Sequence, residues 1–66
     1  MPDYAQIILE LRLVGLSSGD IARWAARKGR KVSANTLRSI FANNQHHVSK
    51  DIADTLSELH RRLLMD

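Results

Sequence analysis

Residues 17–44 read SSGDIARWAARKGRKVSANTLRSIFANN, and the punctuation of this stretch decides the fold. Ser17 stands where a helix N-cap belongs, and Asp20, three residues on, reaches back to it in the manner of a capping box. Ile21, Ala22, Trp24 and Ala25 then supply an inward face at helical spacing. Gly29 stops the helix after Lys28, since glycine takes the left-handed conformation of a helix stop at little cost. Ser33 caps the next helix, whose inward residues are Leu37, Ile40 and Phe41, and which fades at Asn43-Asn44.

The same grammar extends in both directions. Upstream, Asp3 is placed as the cap of a helix carrying Tyr4, Ile7, Ile8, Leu11 and Val14 on one face. Gly15 followed by Leu16 gives the glycine-then-apolar order of a Schellman stop. Downstream, Ser49 caps a helix with Asp51 in its first turn, where a negative charge suits the helix dipole. Its stripe is Ile52, Leu56, Leu59 and Leu63, with Arg61 and Arg62 near the C-terminus. No segment reads as a strand. The expectation is an all-α, four-helix compact domain over residues 1–66, with helices at about 4–14, 18–28, 34–43 and 50–64.

A chain of 66 residues makes one domain at most and buries only about 60% of its unfolded surface, so its core is thin. With no cysteine, neither disulfides nor a thiolate metal site reinforce it. Hydrophobic residues at 44% and charged ones at 26% exclude a wholly disordered chain. The longest apolar runs, such as Ile7-Ile8-Leu9, are too short to span a bilayer. Met1-Pro2-Asp3 lacks the basic-then-apolar layout of a secretory leader, so a cytoplasmic location is expected.

The net charge of +3 conceals an asymmetry. Residues 21–50 contain no acid, yet hold Arg23, Arg27, Lys28, Arg30, Lys31, Arg38 and Lys50; both flanking segments are net negative. Solubility is better served by mixed signs, so this concentration points to a polyanionic partner. On the third helix the outward residues are Ala34, Asn35, Thr36, Arg38 and Ser39. Asparagine reads adenine and arginine reads guanine in pairs of hydrogen bonds, while alanine or the threonine methyl touches a thymine methyl. Such a helix suits a major groove.

Asp20-Ile21-Ala22, then Ala25 with Gly29 four residues later, then Val32-Ser33-Ala34-Asn35-Thr36-Leu37-Arg38-Ser39-Ile40 follow a recognisable order. In these residues the chain resembles the helix-turn-helix DNA-binding proteins, most closely the small phage repressor and Cro-like type. The resemblance covers residues 16–44 well and the flanking helices by general layout. Leu37 and Ile40 keep their mutual spacing but come about two residues later than in the commonest form, which reads Arg30-Lys31 as a lengthened turn. The segment is also similar to the helix-turn-helix parts of some plasmid regulators, resolvases and phage packaging proteins.

The resemblance implies base contacts from Ser33, Ala34, Asn35, Thr36 and Ser39, with Arg38 on a base or a phosphate. Phosphates are expected at the helix N-terminal amides near Ser18 and Ala34, because helix N-termini bind anions. Arg23, Arg27, Arg30, Lys31, Lys50 and the polar run Asn43, Asn44, Gln45, His46 and His47 are expected to grip the flanking backbone. A homodimer, which would place two such helices in successive major grooves about 34 Å apart, is expected to use Ile52, Leu56, Leu59, Leu63 and Leu64.

Other chemistries find little footing. Trp24 and Tyr4 read as core, and the interleaved aromatics of a single-strand binder are lacking. His46 and His47 are neighbours that diverge on a helix, and neither cysteine nor a carboxylate cluster completes a metal site with them. No nucleophile–base set or glycine-rich phosphate loop is present, so no enzyme activity, cofactor, metal or small-molecule substrate is expected. The expected function is sequence-specific double-stranded DNA binding by a small regulator, a repressor occupying an operator. Two other readings share the basic middle. One is an accessory nucleic-acid binder in plasmid partition, DNA packaging or DNA organisation, or an RNA binder; the other is an interaction module docking an acidic protein.

Overall fold

The computed structural model describes residues 3–43 and 47–65. Four helices follow in order: α1 (Tyr4–Leu13), α2 (Ser18–Arg27), α3 (Ala34–Ala42) and α4 (Lys50–Met65). The described residues include no strand.

Side-chain caps and glycine stops set the boundaries. The Asp3 carboxylate accepts the Gln6 amide at 3.1 Å and starts α1. At its far end Gly15 sits at φ +96°, the Gly15 amide donates to the Arg12 carbonyl, and the Leu16 amide donates to the Leu11 carbonyl. Those two bonds make the Schellman stop foreseen from Gly15-Leu16. In α2 the capping box is complete: the Asp20 amide donates to Ser17 Oγ at 3.2 Å, and the Ser17 amide donates to Asp20 Oδ2 at 3.0 Å. The same stop recurs at Gly29, at φ +73°, with the Arg30 amide bonded to the Ala25 carbonyl and the Gly29 amide to that of Ala26. Ser33 Oγ accepts the Asn35 amide at the head of α3, and Ser49 Oγ accepts the Ile52 amide at the head of α4.

One core draws on all four helices. Ile7, Ile8 and Leu11 of α1 meet Ile21 of α2, Leu37 and Ile40 of α3, and Ile52, Leu56 and Leu59 of α4. Helix α1 packs against both α3 and α4, while α2 packs against α3. Of the two alanines on the inward face of α2, Ala25 is fully buried and Ala22 half-buried. No helix is long and apolar enough to cross a membrane, among the residues described.

Two expected core positions lie elsewhere. Val14 is 55% exposed because it is the C-cap of α1, where the chain already turns toward Gly15. Phe41 is 37% exposed at the edge of α3, and the guanidinium of Arg12 covers its ring 4.9 Å from the centroid. The favourable cation–π contact accounts for an aromatic at that edge.

Thr55 is fully buried on α4, and its hydroxyl has no hydrogen-bond partner among the described residues. An unsatisfied buried polar group costs about 1–3 kcal/mol. Thr55→Val is therefore expected to stabilise the fold by about 1 kcal/mol, raising the melting temperature by about 4–8 °C for a domain of this size. Calorimetry of the two proteins checks it.

Candidate nucleic-acid interface

Helix α3 is buried along one side and exposed along the other. Leu37 and Ile40 are fully buried, which locks the helix against α1 and α2. Asn35, Arg38 and Ser39 are exposed and follow at the three- and four-residue spacings of a single helical face. Arg38 Nη1 donates to Asn35 Oδ1 at 3.0 Å, so these two side chains form a joined pair on the surface.

The other expected base-contacting residues flank this face. Ala34 and Thr36 are half-buried. Thr36 lines an open cleft of about 540 Å³ together with Lys31, Ser33, His47 and Ser49. Ser33 is exposed, but its hydroxyl oxygen already accepts the Asn35 amide, so its first role is the cap. The structure thus brings Asn35, Arg38 and Ser39 to one face and places Lys31, Ser33 and Thr36 around the cleft beside it.

The basic residues divide into two groups. Arg27, Lys31 and Lys50 are exposed and form no ion pair among the described residues. Arg23 is exposed too, but pairs with Asp20 one turn earlier. The Ser17 amide, then the Ser17 hydroxyl, and then Arg23 hold the Asp20 carboxyl below its ordinary pKa. Asn43 is exposed at the C-cap of α3, and Asn44, Gln45 and His46 lie outside the described residues. Ser18 is buried at the start of α2, so its hydroxyl is withdrawn from any backbone contact and only its terminal amide position remains relevant.

Arg30 is already engaged within the chain. It was expected at the DNA backbone, but its guanidinium forms a two-pronged bond to Glu58 of α4, at 3.0 Å and 2.7 Å. The same group lies 6.0 Å from the Trp24 ring centroid, beside Lys28 at 4.8 Å and Arg62 at 5.8 Å. Next to it the Lys31 amide donates to Asp51 Oδ2 at 3.1 Å. The turn between α2 and α3 is therefore fastened to α4 at two successive residues. Nothing in the sequence spacing links Arg30 to Glu58, because the partners lie 28 residues apart on elements with independent periodicities.

The Arg30 bond lowers the pKa of Glu58, and the bond to Glu58 raises that of Arg30. A carboxyl depressed in the folded state contributes stability above its unfolded value, and that contribution is lost as pH falls through the folded value. Stability is thus expected to decline in acid, below the ordinary values of 4.5 for Glu58 and 3.8 for Asp20. Glu58→Gln should be less stable at neutral pH and show a shallower acid limb, as measured by denaturant midpoints across pH.

The expected dimer residues need a correction. Ile52, Leu56 and Leu59 are buried in the chain's own core, so their stripe has already found its partner in α1 and the rest of the bundle. Leu63 is half-buried against the same cluster. What α4 leaves uncovered is Leu64, 70% exposed, and Met65, 79% exposed; Leu13 of α1 is equally bare.

Fold and site define a class: an all-helical domain that exposes an acid-free face on α3, with Arg27, Lys31 and Lys50 exposed and outside any ion pair among the described residues. Compared with protein-family models, curated proteins and solved structures, the chain matches none.

Proposed function

We propose that this protein binds double-stranded DNA sequence-specifically, as a small helix-turn-helix regulator that represses by occupying its operator. The observation that carries the reading is the outward face of α3, where Asn35, Arg38 and Ser39 stand exposed while Leu37 and Ile40 anchor the opposite side. A rigid helix carrying such side chains suits the major groove, whose edges present distinct donors and acceptors for each base pair. Arg27, Lys31 and Lys50 supply the backbone contacts that set position without sequence information.

In this reading the protein acts in the cytoplasm as a homodimer, because one helix spans only a few base pairs and two-fold pairing doubles the site. With the α4 stripe committed to the core, the second copy would cover Leu13, Leu64 and Met65 instead. Repression follows from occupancy alone and requires no ligand-sensing part.

Titration with labelled duplexes of mixed sequence, with heparin as competing polyanion, tests the reading. Retention of duplex is expected for the native protein. Lys31→Ala should weaken all duplexes alike and reduce the salt slope by about 2, one phosphate contact being lost from each subunit of the dimer. Failure to retain any duplex, with an acidic protein partner bound instead, would overturn it. Retention with no sequence preference would favour the accessory nucleic-acid binder.

A further inference from the structure

The bond between Arg38 and Asn35 has a consequence for recognition that neither side chain carries alone. A guanidinium has five N–H donors and no acceptor, so it can face only the oxygen end of a neighbouring amide. Arg38 Nη1 meets Asn35 Oδ1 at 3.0 Å. That contact settles which way the amide points, with Oδ1 held toward Arg38 and Nδ2 directed away. An unrestrained surface asparagine flips between two orientations and loses rotamer freedom on binding, whereas this one is already held.

Adenine offers an N6 donor and an N7 acceptor in the major groove, and a single asparagine orientation satisfies both. Oδ1 has a second lone pair, so it accepts adenine N6 while retaining Arg38. The guanidinium keeps its other donors for the O6 and N7 acceptors of guanine. Residues three apart on a helix advance about 4.5 Å along its axis, and base pairs are stacked about 3.4 Å apart. The two side chains therefore reach neighbouring base pairs.

We propose that Asn35 and Arg38 read one two-base step as a unit, adenine by Asn35 and guanine by Arg38, with Arg38 also acting as the positioning residue that fixes the Asn35 amide. The inference rests on the duplex-binding reading of α3, but it makes a separate claim. If the residues acted independently, removing Arg38 would relax only the guanine position. If they act as a unit, it relaxes both.

The test is a set of parallel selections from a randomised duplex pool, with the native protein, Asn35→Ala, Arg38→Ala and Arg38→Lys. Both positions are exposed, so helix content by circular dichroism should match in all four proteins. The native pool is expected to be enriched in an adenine next to a guanine. Asn35→Ala should lose the adenine preference, by about ten-fold, and keep guanine. Arg38→Ala should lose both. Arg38→Lys retains one donor toward Oδ1 and should keep adenine while relaxing guanine. An Arg38→Ala pool with adenine enriched as strongly as in the native pool would overturn the coupling while leaving duplex recognition intact. A native pool enriched in a motif without that step would overturn the base assignment. Absence of any motif, or of any retained duplex, would overturn this inference together with the reading beneath it.

Discussion

Leu37→Ala is expected to destabilise the protein by about 2–5 kcal/mol, the range for truncating a large buried side chain. Leu37 is fully buried on the face of α3 opposite Asn35 and Arg38, within the cluster that joins all four helices. A domain this small has few alternative contacts with which to refill the space. Total stabilities of small domains start near 5 kcal/mol, so the loss removes a large share of the folding free energy. Denaturant unfolding should show a much lower midpoint. Duplex binding should fall with the folded fraction, because the outward face exists only while the inward face is anchored. A variant with the native midpoint would mean that α3 is held by something other than its buried side.

The second large effect is on salt dependence. Arg27, Lys31 and Lys50 are the exposed cations of the expected backbone-contacting set that make no ion pair among the described residues. Three per subunit give about six phosphate contacts in a two-fold dimer. Counterion release then predicts a slope near −5 in log affinity against log salt, or about 10³-fold weaker binding between 50 and 200 mM. Arg30 and Arg23 are left out of that count because Glu58 and Asp20 already hold them. Isothermal titrations at several salt concentrations yield the slope directly. A slope near zero would place the binding free energy elsewhere than in phosphate contacts.

Much of the architecture was legible because local chemistry fixes it. Ser17 with Asp20, Gly15 with Leu16, and Gly29 each act within a few residues of their own positions, and each holds in three dimensions. The α3 face was legible for the same reason: helical spacing puts Leu37 and Ile40 opposite Asn35, Arg38 and Ser39 whatever surrounds them. What the sequence conceals lies where long-range pairing decides. Arg30 has the residue type of a phosphate ligand, and only the placement of α4 reveals Glu58 beside it. Ile52, Leu56 and Leu59 form a stripe that fits either a partner helix or the chain's own core, and periodicity does not distinguish the two. Phe41 has an inward phase but sits at a helix edge, where Arg12 from α1 covers it.

The turn fastened to α4 also explains how the connection between α2 and α3 stays ordered. Flexible insertions carry an entropic cost, and the paired bonds from Arg30 and the bond to the Lys31 amide offset it by tying adjacent residues to one rigid helix. The same fastening brings Lys31 to the rim of the cleft beside Thr36, close to the face proposed to enter the groove.

The most direct test of the central claim is selection of the native protein on a randomised duplex pool at about 0.15 M salt, with a competing polyanion present. The account predicts enrichment of a two-fold symmetric motif whose half-sites lie about one helical turn apart. Duplex retained with no enriched motif, or none retained at all, would contradict it.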